Sequence, residues 1–449
     1  MPASLVSWMR DAGIMVMSTL KQLQNGGLKG STSLKLSEHL TSFPEEIFEL
    51  ADTLEILDLS RNRLTSLPAD FGRLKKLRIL FCSENLFTAF PEVLADCPLL
   101  DIVGFKANII DTVPARSLNS NLRWLILTDN RIKELPAEIG ACSRMQKLML
   151  AGNRLESLPR HLAQCRNLSL LRISANRINE LPAWLLSMPK LSWLAFSGNV
   201  FSGEYAVATV PIISWSDLEI KSLLGEGASG IIYKADWNRG ALTNEVAVKI
   251  FKGSVTSDGL PEDELNTSIA AGNHLGLIPI IGEIKNHPDD RSGLVMELIP
   301  GDFYNLGLPP TFESCTRDVL KSGTKLTEQS VIKIARTIAS AAAYLHSKGI
   351  MHCDLYAHNI LVDDHGNALL GDFGAASFYD LTDLGRALAL QRLEVSAYGY
   401  LLEDLLGICE HAGESNRLKK MAGLKDMCLC DDVLSRPSFD YLEKELNLL

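Results

Sequence analysis

Asparagine returns at an almost fixed interval through the first half of this chain. Asn62, Asn85, Asn108, Asn130, Asn153, Asn176 and Asn199 are separated by 23, 23, 22, 23, 23 and 23 residues. Each sits in the frame L-x-x-L-x-L-x-x-N-x-L, as in Leu54, Leu57, Leu59, Asn62 and Leu64. Most units continue with Leu-Pro and two spaced apolar residues, as in Leu67-Pro68, Phe71 and Leu74. A unit this short cannot bury its own apolar face, so the units must stack. Alternating leucines give a short strand with one buried edge. The asparagine side chain can satisfy backbone groups in the turn that follows, and proline restarts the chain on the opposite side.

Seven registered units resemble the leucine-rich repeat. Leu34, Leu36, Leu40, Phe43 and Pro44 form a degenerate first unit, which with residues 18–33 caps the N-terminal end. The outward strand positions would line the concave face. They are Ile56, Ile79, Ile102, Trp124, Lys147, Leu170 and Trp193 on one side of the central leucine, and Asp58, Phe81, Gly104, Ile126, Met149, Arg172 and Ala195 on the other. So apolar a strip marks a protein-binding face; the bland alternative is that the attached domain, or sheet twist, covers part of it. The array closes at Asn199 and Phe201. The expected division is an N-terminal segment and cap at 1–33, repeats at 34–205, a packed linker at 206–215 and a second domain at 216–449.

Composition sets the compartment. The chain carries a formal net charge of -10, which argues against a nucleic-acid partner. No stretch reaches the ~18–20 apolar residues of a membrane span, and Met1–Met17 reads as a short amphipathic helix. Nine cysteines without a Cys-x-x-Cys pair suit a reducing cytoplasm. Cys97, Cys142 and Cys165 recur at one repeat position and read as small buried hydrophobes.

From Trp215 the period vanishes and a different set of signals begins. Gly225-Glu226-Gly227-Ala228-Ser229-Gly230 is a glycine loop followed by Ile231, Ile232 and Tyr233, which read as a second strand. A hairpin over phosphates fits better than the strand-to-helix turn of dinucleotide folds. Val246-Ala247-Val248-Lys249 is an apolar strand ending in a lysine aimed at phosphate. Glu264 is its expected acidic partner, with Glu262 as runner-up. Further on stand His352-Cys353-Asp354 with Asn359, then Asp372-Phe373-Gly374, and near the end Arg436-Pro437-Ser438-Phe439.

In this order the elements resemble a protein kinase, over residues 216–449. The whole is then similar to a leucine-rich repeat protein kinase: an α/β leucine-rich-repeat solenoid followed by a bilobal α+β protein-kinase-like domain. The resemblance implies ATP bound by Gly225, Glu226, Gly227, Ala228, Ser229, Gly230, Ile232, Ala247, Lys249, Met296, Glu297, Ile299 and Leu361, with adenine held by the backbone of Glu297 and Ile299. It implies Asp354, Lys249 and Glu264 as catalytic residues, and Asn359 and Asp372 as ligands of Mg²⁺, with Mn²⁺ as the alternative ion. His352 and Phe373 pack.

Two departures stand out. Cys353 replaces the arginine that in this family clamps a phosphorylated activation loop, which implies activity without that phosphorylation. Only 22 residues separate Asp372 from Glu394, where a run resembling the buried helix of the second lobe begins, and no Ala-Pro-Glu lies between. Arg436 therefore lacks its usual glutamate, and Glu394 or another nearby acid is the candidate replacement. Tyr356 stands where serine/threonine kinases carry lysine, and His358 where tyrosine kinases often carry arginine. Three functions remain open on the residues: a protein kinase, serine/threonine by preference; a nucleotide-binding pseudokinase scaffold acting through its repeats; and a small-molecule phosphotransferase.

Overall fold

The computed structural model describes all residues except 1–16, 203–208, 228, 254, 257 and 411–414. The expected N-terminal amphipathic helix and Ala228 lie outside the described residues. Contacts divide the chain into two compact units. The first runs through Met188 and takes in Asn199–Phe201; the second comprises Pro189–Gly198 and the chain from Ser202 to Leu449. Among the described residues no helix is long and apolar enough to cross a membrane.

In the first unit a short capped helix, α1 (Leu20–Gln24), precedes a ladder of three-residue strands. These are β1 (Ser33–Lys35), β2 (Ile56–Asp58), β3 (Ile79–Phe81), β4 (Ile102–Gly104), β5 (Trp124–Ile126), β6 (Lys147–Met149) and β7 (Leu170–Arg172). All pair in parallel with a register of one repeat, as in Leu57↔Leu80 and Leu148↔Leu171. The central side chains of β2 to β7 are fully buried, because stacking gives each leucine the neighbour its own unit lacks. On the other side 3₁₀ turns follow Pro44, Pro91, Pro114, Pro136 and Pro159, where proline's fixed φ starts a turn without needing an N–H.

The asparagines work as expected, and across repeats. Asn85 Nδ2 donates to the Leu59 and Cys82 carbonyls at 2.9 and 3.1 Å, and its Oδ1 accepts from the Leu64 amide at 2.9 Å. Asn153 and Asn176 repeat the pattern. The residue just before each asparagine carries a positive φ: Arg61, Glu84, Ala107, Asp129, Gly152, Ala175 and Gly198. Two of these are glycine, so the other five residues each accept a strain of ~1–2 kcal/mol that the asparagine bonds offset. Cys97, Cys142 and Cys165 are fully buried, and burial pushes their thiols up to about 12, 11 and 12.

Several of the positions expected on the concave face are covered, one of the two alternatives the sequence offers. Phe81, Ile102, Trp124 and Leu170 are buried, while Ile56 and Lys147 are half-buried. Lys147 lies over the Trp124 ring at 4.2 Å, and Asp58 pairs with Lys35 at 2.9 Å.

The second unit opens with β8 (Trp193–Ala195) and β9 (Ile212–Ser214). Residues 212–214 fall in the expected linker, but they pair in parallel with Glu283–Lys285 as the edge of a six-stranded sheet. The apolar pattern of Ile212-Ile213 explains this, since Ile213 is buried in the sheet's core. The other strands are β10 (Leu218–Glu226), β11 (Gly230–Arg239), β12 (Leu242–Phe251), β13 (Ile280–Lys285) and β14 (Gly293–Glu297), in spatial order β10-β11-β12-β14-β13-β9. Helix α2 (Pro261–Ala271) lies between β12 and β13 in the chain, with proline and three acids in its first turn. That placement suits the helix dipole.

Beyond β14 and the short β15 (Tyr304–Asn305), helices dominate: α3 (Glu328–Ser347), α4 (Leu384–Ile408), α5 (Asn416–Cys428) and α6 (Phe439–Asn447). Two small ladders carry the loops between α3 and α4. One pairs β16 (Ile350–Met351) with β19 (Ser377–Phe378); the other pairs β17 (Ile360–Val362) with β15 and β18 (Ala368–Leu370). Helix α4 begins ten residues before Glu394, capped by Asp383.

Candidate active site

Glycine spacing closes the first wall. β10 and β11 form an antiparallel hairpin with Gly225 opposite Ile232, and the Gly227 amide donates to the Gly230 carbonyl at 2.9 Å. A Cβ on Gly230 would sit 2.7 Å from the Ile250 carbonyl and 3.2 Å from Lys249 Cε, so only glycine lets the loop close over the lysine. The Glu226 side chain turns away to pair with Lys252.

Lys249 sits on β12 opposite Ile232 and Leu294. Its ammonium is ion-paired with Glu264 of α2 and lies 3.7 Å from Asp372 Oδ1. Glu262 is exposed and Glu264 buried, which separates the two candidates by position. Burial works against the charge on Lys249, but the Glu264 and Asp372 carboxylates outweigh it and raise its pKa. Burial raises the Glu264 carboxyl, with Lys249 opposing. Desolvation in the cleft opposes ionisation of Asp372, yet Lys249 and the Gly374 amide hold its carboxyl below the usual range. Glu264→Gln is expected to slow turnover roughly 10- to 100-fold by releasing the lysine. Glu262→Gln should leave it within about twofold. Steady-state assays of the two variants side by side check this, and equal losses would reject the pairing.

The second wall is built by the loops between β16 and β19. Asp354 is oriented by Asn359, whose Nδ2 donates to the Asp354 carbonyl and to its Oδ2, both at 2.9 Å. Asn359 Oδ1 makes neither of these bonds and would be the atom to hold a cation. Asp372 takes a positive φ, with the Gly374 amide on its Oδ1 at 3.2 Å. His352 donates to the Gly371 carbonyl at 2.9 Å and packs on Phe373 at 5.1 Å, as expected of structural residues. The donors expected to hold a cation, on Asn359 and Asp372, are oxygens, which would suit a hard divalent ion. Two side chains are too few to hold it alone, so phosphate and water oxygens must complete the shell.

Beneath the catalytic loop, Cys353 is buried with a φ of 62°. Its amide donates to Glu394 Oε1 at 2.6 Å, while Glu394 Oε2 meets His346 Nε2 at 2.7 Å. The expected salt bridge between Glu394 and Arg436 is therefore not formed. Glu394 is occupied, and buried Arg436 instead donates to the Cys430, Arg392 and Pro189 carbonyls. The residues expected to report on the acceptor are also engaged. Tyr356 stacks on Trp193, and His358 pairs with Asp318 at 2.8 Å.

A cleft lies between the walls. Gly227, Ser229, Gly230, Ile232, Lys249, Glu264, Met296 and Asp372 line it as expected. Gly225, Glu226, Ala247, Glu297, Ile299 and Leu361 are not among its lining residues. Its back wall is Ser268, Ala271, Leu277, Ile278 and Phe373. Of these only Phe373 carries a sequence signal; the others sit on α2 and on an irregular loop.

A glycine hairpin, a strand lysine fixed by a helix carboxylate, and paired acidic loops define a nucleotide-phosphate site of the protein-kinase type. Residues 218–394 match the protein kinase domain family, and residues 53–74, 120–178 and 143–201 match leucine-rich repeat families. The chain thus carries leucine-rich repeats and a protein kinase domain, which implies ATP and a divalent metal. It is 33% identical over 172 residues to a Dictyostelium discoideum protein named probable serine/threonine-protein kinase, covering 37% of this chain and 10% of that one. It is 27% identical over 205 residues to the angiopoietin-1 receptor of Danio rerio, covering 42% and 18%. A second Dictyostelium protein of the same description is 27% identical over 277 residues, covering 53% and 28%. The chain therefore spans between 10% and 28% of the length of these relatives.

Proposed function

We propose that this chain is an active, Mg²⁺-dependent protein kinase that transfers the ATP γ-phosphate to a serine or threonine hydroxyl. One observation carries the reading: Lys249, Glu264 and Asp372 converge in one cleft, with Asp354 oriented by Asn359 on the neighbouring loop. In this reading Glu264 holds Lys249 against the ATP phosphates. Asp354 accepts the proton of the acceptor hydroxyl as its oxygen bonds to the γ-phosphorus and the bond to the ADP oxygen breaks. Asn359 and Asp372 hold the cation, which when bound neutralises the phosphate charge. Serine/threonine preference is supported by the names of two relatives.

For the repeats we propose recognition of a protein partner, without assigning it to the concave strip. A cytoplasmic location is supported by the nine free cysteines, eight of them buried.

Purified protein with labelled ATP and Mg²⁺ is expected to label itself or a generic protein on serine or threonine, and EDTA should abolish the signal. An ATP-dependent rise in melting temperature with no label on any acceptor would replace the enzyme with a nucleotide-binding scaffold.

A further inference from the structure

The segment Pro189–Gly198 lies more than 150 residues upstream of the catalytic loop, yet it packs within the second unit. Trp193 is its centre and is 1% exposed. The indole lies flat on Tyr356, with ring centroids 4.3 Å apart and planes 5° from parallel, and also faces Tyr400 at 5.5 Å. Its Nε1–H donates to the Leu355 carbonyl at 3.1 Å. Leu355 and Tyr356 directly follow Asp354.

The flanks of Trp193 reach three further points of the same machinery. The Phe196 and Ser197 amides both donate to Ser377 Oγ at 3.1 Å, three residues after Gly374. Ser192 and Ser396 share a hydrogen bond at 2.6 Å, two residues beyond Glu394, which holds the Cys353 amide. Arg436 donates to the Pro189 carbonyl.

We infer that Trp193 is a positioning residue for phosphoryl transfer. By clamping Leu355 and Tyr356 it fixes the backbone that aims the Asp354 carboxylate. The inference rests on the kinase reading of the site. Asn359 holds Asp354 from one side, through its carboxylate and carbonyl. The Trp193 clamp acts on the residues that follow. The connection from Gly374 to α4 cannot supply this clamp. It pairs with β16 through Ser377–Phe378 and enters the helix at Leu384. An upstream segment does so instead, and stacking between buried rings joins a hydrogen bond to fix both tilt and height. A displacement of about 1 Å at a catalytic carboxylate is enough to cost roughly 100-fold in rate.

The test uses the full chain with Trp193→Phe and Trp193→Ala. Phe keeps a stacking ring and loses the N–H donor; Ala loses both. Expected are falls in kcat of about tenfold or more for Ala and a smaller loss for Phe, with KM for ATP within about twofold of wild type. Amide exchange should quicken at residues 353–359 and stay unchanged on β12, an internal control for folding. Wild-type kcat in a folded Ala variant would overturn the inference, as would quickened exchange across β12 together with a matching loss of ATP affinity. If Ala fails to fold, the Phe variant decides on the same readouts. Should the wild type bind ATP without turnover, the kinase reading falls. The exchange comparison alone then decides whether Trp193 holds the loop.

Discussion

Asp354→Asn should bind ATP as the wild type does and transfer phosphate roughly 10²–10⁴-fold more slowly. The reason lies in the loop's own hydrogen bonds. Asn359 Nδ2 donates to Asp354 Oδ2, so an amide at 354 must turn its oxygen toward Asn359 to avoid opposing two donors. Its NH₂ group then faces the acceptor hydroxyl, presenting a donor where the reaction needs a proton acceptor. Lys249 and Asp372 are left in place, so nucleotide affinity is a sound control. Single-turnover transfer and an ATP-induced melting shift, measured on one preparation, separate the two effects. Activity within about threefold of wild type would remove Asp354 from the reaction.

Glu394→Ala should destabilise the kinase unit by about 2–6 kcal/mol, roughly 1–3 kcal/mol for each of two buried polar partners left unsatisfied. The carboxylate is fully buried and serves two partners, the Cys353 amide and His346. Alanine strands both, at a residue whose left-handed backbone already carries strain. Glu394→Gln keeps one acceptor for the amide and should cost less. Burial alone would push the Glu394 carboxyl up; the His346 hydrogen bond, the nearby imidazoles and the Cys353 amide hold it below the usual range. Its stabilisation is thus present above the ordinary carboxylate pKa of ~4.3 and is lost as pH falls through the lower folded value. Urea titrations should show wild type and Glu394→Ala converging toward acid pH. A loss under about 1 kcal/mol at neutral pH, or parallel curves, would reject the buried anchor.

Much of this was readable because it is periodic or ordered along the chain. The asparagine interval dictates stacking, and the ladder follows. The glycine hairpin, Lys249, Asp354, Asn359 and Asp372 announce themselves by residue type and order. Readability ended where a residue's meaning depends on a distant partner. Nothing local in Glu394 says it will hold Cys353 and His346 rather than Arg436. Nothing in Tyr356 or His358 says that each is engaged, by Trp193 and Asp318 respectively. The start of α4 was hidden because Leu384–Leu393 lies outside the run that resembles a kinase helix. Residues 212–214 looked like linker because a three-residue edge strand carries too little pattern to be told from loop. The back wall of the cleft was invisible for a related reason: Leu277 and Ile278 matter by reach, and no spacing rule encodes it.

The membership of Pro189–Gly198 in the second unit bears on how such a protein can be rearranged. A repeat array is ordinarily interchangeable, since its units can be lengthened, shortened or transplanted at little cost. Here the terminal unit contributes side chains to the catalytic half, so the seam visible in the sequence is not where the two modules come apart. Repeats upstream of it are free to vary in number. Recombination at residue 203 or 216, by contrast, would deliver a kinase half missing a tryptophan that its own gene segment does not encode.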